Sequence, residues 1–365
     1  MTIKLSAILL AFILSATSHA QSIRILNWGD YINPDVISEF ESLKGIKVEY
    51  VEFNNNEEFF EAFFNNENKF DVIFPASYLV KTLKDNNLIK KLDKSKFKHH
   101  KNFNHVVMNG LKHQDKKNQY TVPYMWGTTG IGYNAKALRK LGIHDSDISW
   151  SLIFDKALRE KVASCGIGVL NERDEIFSAA LSYLGYSINT KEKSELTAAG
   201  SLIKEAYKDF SYLHTNQYTD DLKDNKICIG VGYSGDILAQ TEENSDINYI
   251  IPNQGATMWI DVMAIPTNSQ SPELAYEFID YLMSAKASAQ NSNYAAYPSP
   301  MLDAQVHVEP EILADKVIYP DTVTLANLAM IAPSGKKVRR IKHRLWVKAI
   351  CVQGKWCSVP IRSFF

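Results

Sequence analysis

The sequence predicts an α/β protein of two lobes, joined by crossing strands and separated by a ligand cleft. Apolar strand-like runs alternate with helix-like segments, which indicates a parallel sheet covered by helices. The chain has 365 residues, more than one hydrophobic core usually supports, so we expect two lobes of ordinary size. Aromatic and acidic residues follow two of the strands, where open α/β sheets bind ligands.

The first 20 residues have the layout of a secretory signal. Lys4 precedes an apolar run from Leu5 to Leu14, and small residues then lead to Ala20. A membrane anchor is the weaker alternative, because the run is much shorter than the roughly 20 apolar residues of a spanning helix. We therefore expect cleavage after Ala20 and an exported, soluble mature protein. The residue directly after the cleavage point is Gln21 and not a cysteine, so a lipid-anchored start is not indicated.

The charge of the chain argues against one large class of function. The sequence has 40 Lys and Arg residues and 41 Asp and Glu residues. The expected signal contains one charged residue, Lys4, so the mature chain has 39 basic against 41 acidic residues, a net charge of −2. Charge so nearly balanced is not typical of nucleic-acid-binding proteins.

The first part of the chain alternates strands with helices. The predicted elements are a strand at 23–27, a helix at 34–43, a strand at 46–52, a helix at about 55–65, and a strand at 70–75 that leads into another helix. Pro34 at the first position and Gly45 just past the end are typical helix boundaries. After a polar stretch, the apolar segment Tyr120–Tyr133 is where we place the first crossing between lobes.

A second strand–helix series follows, from residue 164 to about 251, with helices near 175–184, 195–210 and 235–242. Met258–Pro266 is then an apolar strand that Asp261 interrupts, and a carboxylate there needs a partner or must be protonated. The alternative is a structural aspartate that caps a neighbouring helix. We divide the mature chain into lobe 1 (21–127 plus about 258–305), lobe 2 (128–257 plus about 306–348) and an atypical tail (349–365).

Four cysteines in an exported chain allow three pairings. Cys165 and Cys228 each lie in a β-rich run, and we predict that they form a disulfide. Two buried free thiols are the alternative. Cys351 and Cys357 lie in the tail, and the sequence does not assign them a role.

Three short segments repeat one chemical pattern, an aromatic residue two or three positions before an aspartate. The segments are Trp28-Gly29-Asp30-Tyr31, Tyr233-Ser234-Gly235-Asp236 and Trp259-Ile260-Asp261. An alkylammonium ion is attracted to a ring face and forms charge-assisted hydrogen bonds with carboxylates. The pattern therefore indicates an organic cation as ligand.

Signals of catalysis are weak in this sequence. It contains no nucleophile elbow, phosphate-binding loop or zinc-protease motif. His99-His100 is more typical of a solvated surface than of a metal site. Glu172 and Glu175 could form a hydrolase pair, but they could equally complement a helix N-terminus. We therefore expect neither an enzyme nor a metal or other cofactor.

A basic segment at 336–344 has Val338, Ile341 and Leu345 on one helical face. This spacing predicts an amphipathic helix docked on a lobe. Binding to a membrane or nucleic acid is the less favoured interpretation.

The chain resembles the periplasmic spermidine/putrescine-binding proteins of bacterial ABC importers. Within this family, the resemblance is strongest to the putrescine-preferring branch. The similarity extends to about Lys348. It rests on the runs Asn27 to Tyr31, Pro123 to Gly132, Ser164 to Gly166, Ile227 to Cys228 and Gly232 to Asp236. The resemblance implies the periplasmic binding protein fold, which closes on its ligand, and a periplasmic location. It also implies a permease and an ATPase as partners, and we expect a monomer.

The resemblance also implies a set of polyamine-contacting residues: Trp28, Asp30, Tyr31, Tyr78, Glu175, Tyr233, Asp236, Trp259, Asp261 and Tyr297. The cysteines at 165 and 228 match a disulfide of the putrescine branch. Glu172 resembles an acidic position of the spermidine branch and could widen the preference. Gly29, Ala76 and Tyr233 depart from the usual family residues, so each could loosen one contact.

Within this set, we expect the rings of Trp28, Tyr233 and Trp259 to lie along the methylenes of the ligand. Asp236, Asp261 and Glu175 would bind its ammonium groups, and Asp30 and Glu172 would act as secondary or length-selecting groups. The alternatives are a polyamine sensor without transport, a binding protein for another small organic cation, an anion- or metal-binding relative, and a secreted hydrolase.

Overall fold

The computed structural model describes residues 21–65 and 69–351. The expected signal at 1–20, Cys357 and most of the tail therefore lie outside the described residues. Within the described ranges, no helix has both the length and the apolar character needed to cross a bilayer.

The structure contains two sheets. Their strands are β1 (Ser22–Trp28), β2 (Lys47–Phe53), β3 (Val72–Ile73), β4 (Val122–Asn134), β5 (Ile167–Leu170), β6 (Tyr212–His214), β7 (Ile229–Tyr233), β8 (Ile247–Ile250), β9 (Ala256–Met263) and β10 (Leu328–Ala329).

Helices connect and cover these strands. They are α1 (Pro34–Lys44), α2 (Asn56–Phe64), α3 (Val80–Asp85), α4 (His105–Leu111), α5 (Ala135–Lys140), α6 (Ser151–Phe154), α7 (Lys156–Ala163), α8 (Arg173–Tyr183), α9 (Lys193–Ala206), α10 (Gln217–Lys223), α11 (Ser234–Leu238), α12 (Pro272–Leu282), α13 (Ala285–Ala295), α14 (Pro310–Ala314), α15 (Thr322–Ala326) and α16 (Lys336–Ile350).

The first sheet is parallel and has the order β2-β1-β3, as the alternation of strands and helices predicted. The helix α1 begins where Asn33 accepts a hydrogen bond of 2.9 Å from the backbone N–H of Asp35. It ends at Gly45, whose φ of 65° is in the left-handed region that glycine adopts without strain. Both helix boundaries agree with the sequence prediction.

The predicted strand at 70–75 is shorter in the structure, where β3 has two residues. The chain remains extended on both sides of β3. Asp71 donates its N–H to the carbonyl of Arg24 at 2.7 Å, and Phe74 donates to that of Leu26 at 3.0 Å. The difference is therefore one of strand bounds, since the whole segment still lies along β1.

The second sheet has the order β10-β9-β4-β7-β5-β6, and β8 also pairs with β4. The 13-residue strand β4 is antiparallel to β9 over Val122–Thr129 and antiparallel to β7 over Thr129–Tyr133. Single bridges from Ile73 to Ala264 and from Ala76 to Asp261 connect β9 with the neighbourhood of β3. The strands β4 and β9 therefore join the two halves of the molecule.

The hydrophobic residues form clusters on either side of these joining strands. Two clusters contain residues from 23–126 together with residues from 258–308. The two others contain residues from 131–249, and one of these also includes residues of α16. The two-lobed α/β fold is thus confirmed. Val308 packs in the first group and Val338 in the second. The exact lobe boundaries stay a prediction.

The basic segment at the end of the chain forms α16, as its apolar spacing predicted. Val338 and Ile341 are buried and Leu345 is partly buried against the second-lobe cluster. Lys342 is also buried, and its ammonium group pairs with the carboxylate of Asp174 at 3.1 Å. The helix is therefore docked on the lobe through its apolar face.

The predicted disulfide between Cys165 and Cys228 is present, with the two Cα atoms 5.5 Å apart. It joins the turn before β5 to the start of β7. These two parallel strands are neighbours in the second sheet. The bond closes a loop with a sequence separation of 63 residues. It therefore fixes the pairing of two strands that are distant in sequence.

We expect the double variant Cys165→Ala/Cys228→Ala to lose about 4 kcal/mol of unfolding free energy, because the unfolded chain gains loop entropy. Urea denaturation of the two oxidised proteins measures the difference. The variant is a cleaner test than reductant, which acts on every disulfide of the chain. Equal midpoints for the two proteins would show that the bond contributes nothing to stability.

Candidate functional site

A cavity of about 540 Å³ lies between the two halves of the molecule. All eleven residues that the sequence analysis assigned to a ligand site contribute to its lining: Trp28, Asp30, Tyr31, Tyr78, Glu172, Glu175, Tyr233, Asp236, Trp259, Asp261 and Tyr297. Five of them are carboxylates. No lysine, arginine or histidine of the described chain lines this cavity.

The end of β1 and the following turn provide one side of the cavity. Trp28 is the last residue of β1, and its ring packs against Phe53 at a centroid distance of 4.4 Å. Asp30 has a φ of 51°, and the turn it forms brings Tyr31 into the interior. The carbonyl of Tyr31 accepts a hydrogen bond of 2.6 Å from the hydroxyl of Tyr124 on β4. The turn is thereby attached to a joining strand.

The strand β9 contributes Trp259 and Asp261. Residues two positions apart in a strand point to the same face, so the ring and the carboxylate both reach the cavity. In the described part of the chain, no helix N-terminus donates a hydrogen bond to the Asp261 carboxylate. The structure therefore does not support the alternative in which Asp261 caps a helix.

The second half of the molecule contributes Asp236, which lies in the first turn of α11. Its carboxylate accepts hydrogen bonds from the hydroxyls of Tyr297 at 2.8 Å and Tyr218 at 3.4 Å. Its backbone N–H also donates to the hydroxyl of Tyr297 at 3.1 Å. Tyr297 follows α13 on the opposite side, so this pair closes the cavity directly.

Aromatic rings form a continuous series through the cavity. Tyr31 contacts Tyr297 at a centroid distance of 5.5 Å, Tyr297 contacts Trp259 at 5.1 Å, and Trp259 contacts Tyr233 at 5.6 Å. Each pair is edge-to-face, the geometry that ring quadrupoles favour. The rings therefore hold one another in place and present their faces and edges as an apolar wall.

Two glycines provide the space for these rings. A Cβ atom at Gly127 would lie 2.4 Å from the ring of Trp259, and one at Gly235 would lie 2.3 Å from the ring of Tyr297. Carbon atoms do not approach so closely, so any larger residue would displace a ring. The requirement for glycine at these positions is therefore one of space.

Glu172 and Glu175 lie at the N-terminus of α8. Glu172 is the N-cap residue but makes no side-chain capping hydrogen bond, and Glu175 is in the first turn. Glu175 is buried, and its Oε2 has no hydrogen-bond partner within the described residues. Both side chains line the cavity. Their position at a helix N-terminus and their position in the cavity are therefore compatible.

Burial changes the acidity of these carboxyl groups. It raises the pKa of Asp261, Glu175 and Glu172 to about 7. Neighbouring carboxylates add to the increase: Asp236 acts on the pKa of Asp261, and Asp174 acts on the pKa of both glutamates. Burial also raises the pKa of Asp236. Such a site disfavours negative charge unless a cation is present.

The cavity includes polar residues that the sequence analysis missed. Asn56 donates a hydrogen bond of 2.6 Å to the hydroxyl of Tyr78, and Thr219, Gln240 and Tyr294 are further lining residues. The run Asn54 to Asn56 directly follows β2. The rule that ligands bind at the carboxyl ends of strands could have found it.

The histidine pair lies away from the cavity. His99 is exposed, and its Nδ1 lies 3.2 Å from the carboxylate of Asp280, while Nδ1 of His100 lies 2.9 Å from the carbonyl of Phe97. Within the described residues, no group of three His, Cys, Asp or Glu side chains could hold a metal ion.

Comparison with known proteins gives consistent matches over most of the chain. The model of a family described as bacterial extracellular solute-binding protein matches residues 35–318. The putrescine-binding periplasmic protein SpuD of Pseudomonas aeruginosa is 34% identical, over 89% of this chain and 91% of that protein. The putrescine-binding periplasmic protein PotF of Escherichia coli is 31% identical, over 90% and 91% of the two chains.

Solved structures show the same architecture. The spermidine/putrescine substrate-binding protein PotD of Streptococcus pneumoniae superposes with a TM-score of 0.80 at 26% identity, over 90% of this chain and 98% of that one. A putative spermidine/putrescine ABC transporter protein of Listeria monocytogenes has a TM-score of 0.77 at 30% identity, with coverages of 90% and 98%.

We expect the ligand-free protein to become less stable as the pH rises from 5 to 8. The raised pKa values mean that the folded state holds protons that the unfolded state releases above pH 4 to 5, so this stability is lost as the pH passes about 7. The loss should be at least about 2 kcal/mol. Urea denaturation at several pH values measures it.

The variant Asp261→Asn is the matched comparison. Its amide cannot ionise, so its stability should fall less between pH 5 and 8 than that of the wild type. Parallel pH curves for the two proteins would show that Asp261 does not titrate in this range.

Proposed function

This chain belongs to the bacterial extracellular solute-binding proteins, and we propose that it captures linear polyamines, putrescine and/or spermidine, for an ABC importer. The observation that carries the proposal is a cavity lined by packed rings and five carboxylates, of which Asp261 and Glu175 are buried, and to which no basic residue of the described chain contributes. The relatives SpuD and PotF, both described as putrescine-binding, support this choice of ligand. The role of each residue below is part of the proposal.

The acidic residues fall into two pairs. The charge of Asp236 raises the pKa of Asp261, and the charge of Glu172 raises that of Glu175. The ring of Trp259 contacts the ring of Tyr297, which is hydrogen-bonded to Asp236. It also contacts the ring of Tyr233, whose pKa is raised by the charges of the two glutamates. In the proposed arrangement, the ring of Trp259 therefore connects the two pairs. A diamine would place one ammonium at each pair and its methylenes along this ring.

The remaining residues of the site have secondary roles in this arrangement. Trp28 and Tyr31 extend the apolar wall, and Tyr78 lies near the glutamates, whose charges raise its pKa. Asp30 is exposed at the cavity rim, where it would attract the cation. A longer amine such as spermidine would use a further acidic group, for which Glu172 and Asp30 are the candidates.

The expected affinity follows from these contacts. A charge-assisted hydrogen bond contributes about 1.5 to 3 kcal/mol, and a desolvated cation–ring contact about 0.5 to 2 kcal/mol. Desolvation and lost freedom of motion offset a large part of this gain. A dissociation constant of about 1 μM or below, equivalent to roughly −8 kcal/mol, is consistent with the balance.

Transport requires that the ligand-bound protein differ in conformation from the ligand-free protein. Ligand contacts from both lobes stabilise the closed state relative to the open state, because only the closed state brings all of them together. We propose that the closed, loaded monomer in the periplasm then docks on a membrane permease that an ATPase drives. No catalytic step is part of this function.

We expect isothermal titration calorimetry of the mature chain to show putrescine or spermidine binding at micromolar or lower concentration. The change Asp236→Asn should weaken binding by about 10- to 100-fold, because it removes one charged partner of the ammonium. Absence of binding by putrescine, spermidine and spermine alike would rule out the proposed function.

The control variant is Asp145→Asn, which removes the same charge from an exposed turn. It should bind within about twofold of the wild type, since exposed charges are screened by solvent and salt. An equal loss in both variants would indicate that net charge, and not the site, determines affinity.

A further inference from the structure

The N-terminus of α8 contains a third carboxylate, which does not line the cavity. Asp174 lies between Glu172 and Glu175 in sequence, yet its side chain contacts basic groups. One carboxylate oxygen lies 2.6 Å from Nη2 of Arg173 and the other 3.1 Å from Nζ of Lys342. Asp174 thus binds two cations within one helical turn of the proposed ligand carboxylates.

The two cations differ in burial and in their contacts. Lys342 is buried on α16, and its ammonium lies 5.7 Å from the centre of the Phe177 ring. Arg173 is partly exposed and directly follows Glu172 in the chain. Its Nε has no hydrogen-bond partner within the described residues. Arg173 therefore has a buried, unused donor on a long side chain whose other end is held by Asp174.

A guanidinium that turned towards Glu172 or Glu175 would occupy the place of a ligand ammonium. Arginine forms bidentate pairs with carboxylates, and neither glutamate has a hydrogen-bonded basic partner within the described residues. The charge of Arg173 already offsets part of the rise in the pKa of Glu172 that burial causes. Among the described residues, the carboxylate of Asp174 is the hydrogen-bonded partner of this guanidinium.

We propose that Asp174 is a positioning residue that holds Arg173 outside the cavity and so keeps Glu172 and Glu175 available for the ligand. The inference rests on the proposed function, because it concerns the same carboxylates. Lys342 takes part by fixing the other oxygen of Asp174, which connects the docking of α16 to the site.

The test compares four variants by calorimetric titration with putrescine. We expect Asp174→Asn to bind about tenfold more weakly or worse, because the freed Arg173 competes with the ligand. Arg173→Gln alone should bind within about threefold of the wild type. The double variant Asp174→Asn/Arg173→Gln should recover binding, because it lacks the competing guanidinium.

The second double variant separates this inference from a simple effect of charge. Asp174→Asn/Lys342→Met has the same net charge as Asp174→Asn/Arg173→Gln and leaves no lysine buried without its partner. If only the electric field of Asp174 mattered, both double variants would recover. Under our inference, the Lys342 double variant stays weak, because Arg173 is still free. Equal recovery, or wild-type binding by Asp174→Asn, overturns the inference.

A ligand-free measurement distinguishes failure of this inference from failure of the proposed function. In Asp174→Asn, a freed Arg173 that pairs with the glutamates should flatten the loss of stability between pH 5 and 8. Arg173→Gln should then steepen the loss much more in the Asp174→Asn background than in the wild type, whereas the fixed charges of Asp174 and Arg173 alone would give equal effects in both backgrounds. If the wild type does not bind polyamines but these pH curves differ as stated, the proposed function fails and the positioning role stands. Identical curves overturn the positioning role.

Discussion

The full or partial burial of several carboxyl groups that have no basic partner among the described residues is the constraint on which the rest of this structure depends. Asp236, Asp261, Glu172 and Glu175 all have raised pKa values, and burial is the largest cause in each case. A protein that served only its own stability would pair or replace such groups. Their arrangement is reasonable when an external cation supplies the missing charge.

The fold provides this arrangement through β4 and β9, which join the two sheets. Asp261 and Trp259 lie on β9 itself, and Asp236 follows β7, the neighbour of β4. The contact of Tyr297 with Asp236 then crosses from one side of the cavity to the other. Under the proposed function, ligand binding and the closeness of the two halves would therefore be coupled through the same side chains.

Strand ends and helix caps are local signals, so the sequence alone predicted the fold class, and aromatic–acid spacing indicated residues such as Trp28, Asp236 and Asp261. The assignment of Tyr78, Glu175 and Tyr297 to the same site was implied only by the resemblance to the polyamine-binding family. The sequence analysis missed the helix α10, which carries Thr219 into the cavity lining, since seven residues with only Tyr218 and Leu222 as apolar positions are too few to show a helical period. The contact of Lys342 with Asp174 joins residues 168 positions apart. No local sequence pattern predicts a contact between residues so far apart in the chain. The glycine requirement at Gly235 likewise becomes visible only with the ring of Tyr297 in place.

The release of protons on binding tests the central claim most directly. At pH 7, buried carboxyl groups with pKa values near 7 are partly protonated, whereas the amines of putrescine, like that of lysine, are charged, with pKa values near 10. Binding of the dication should therefore expel protons from the site. Calorimetry of putrescine binding at pH 7, in two buffers of different ionisation enthalpy, counts them. Our account predicts net release, and no exchange or net uptake of protons would contradict it.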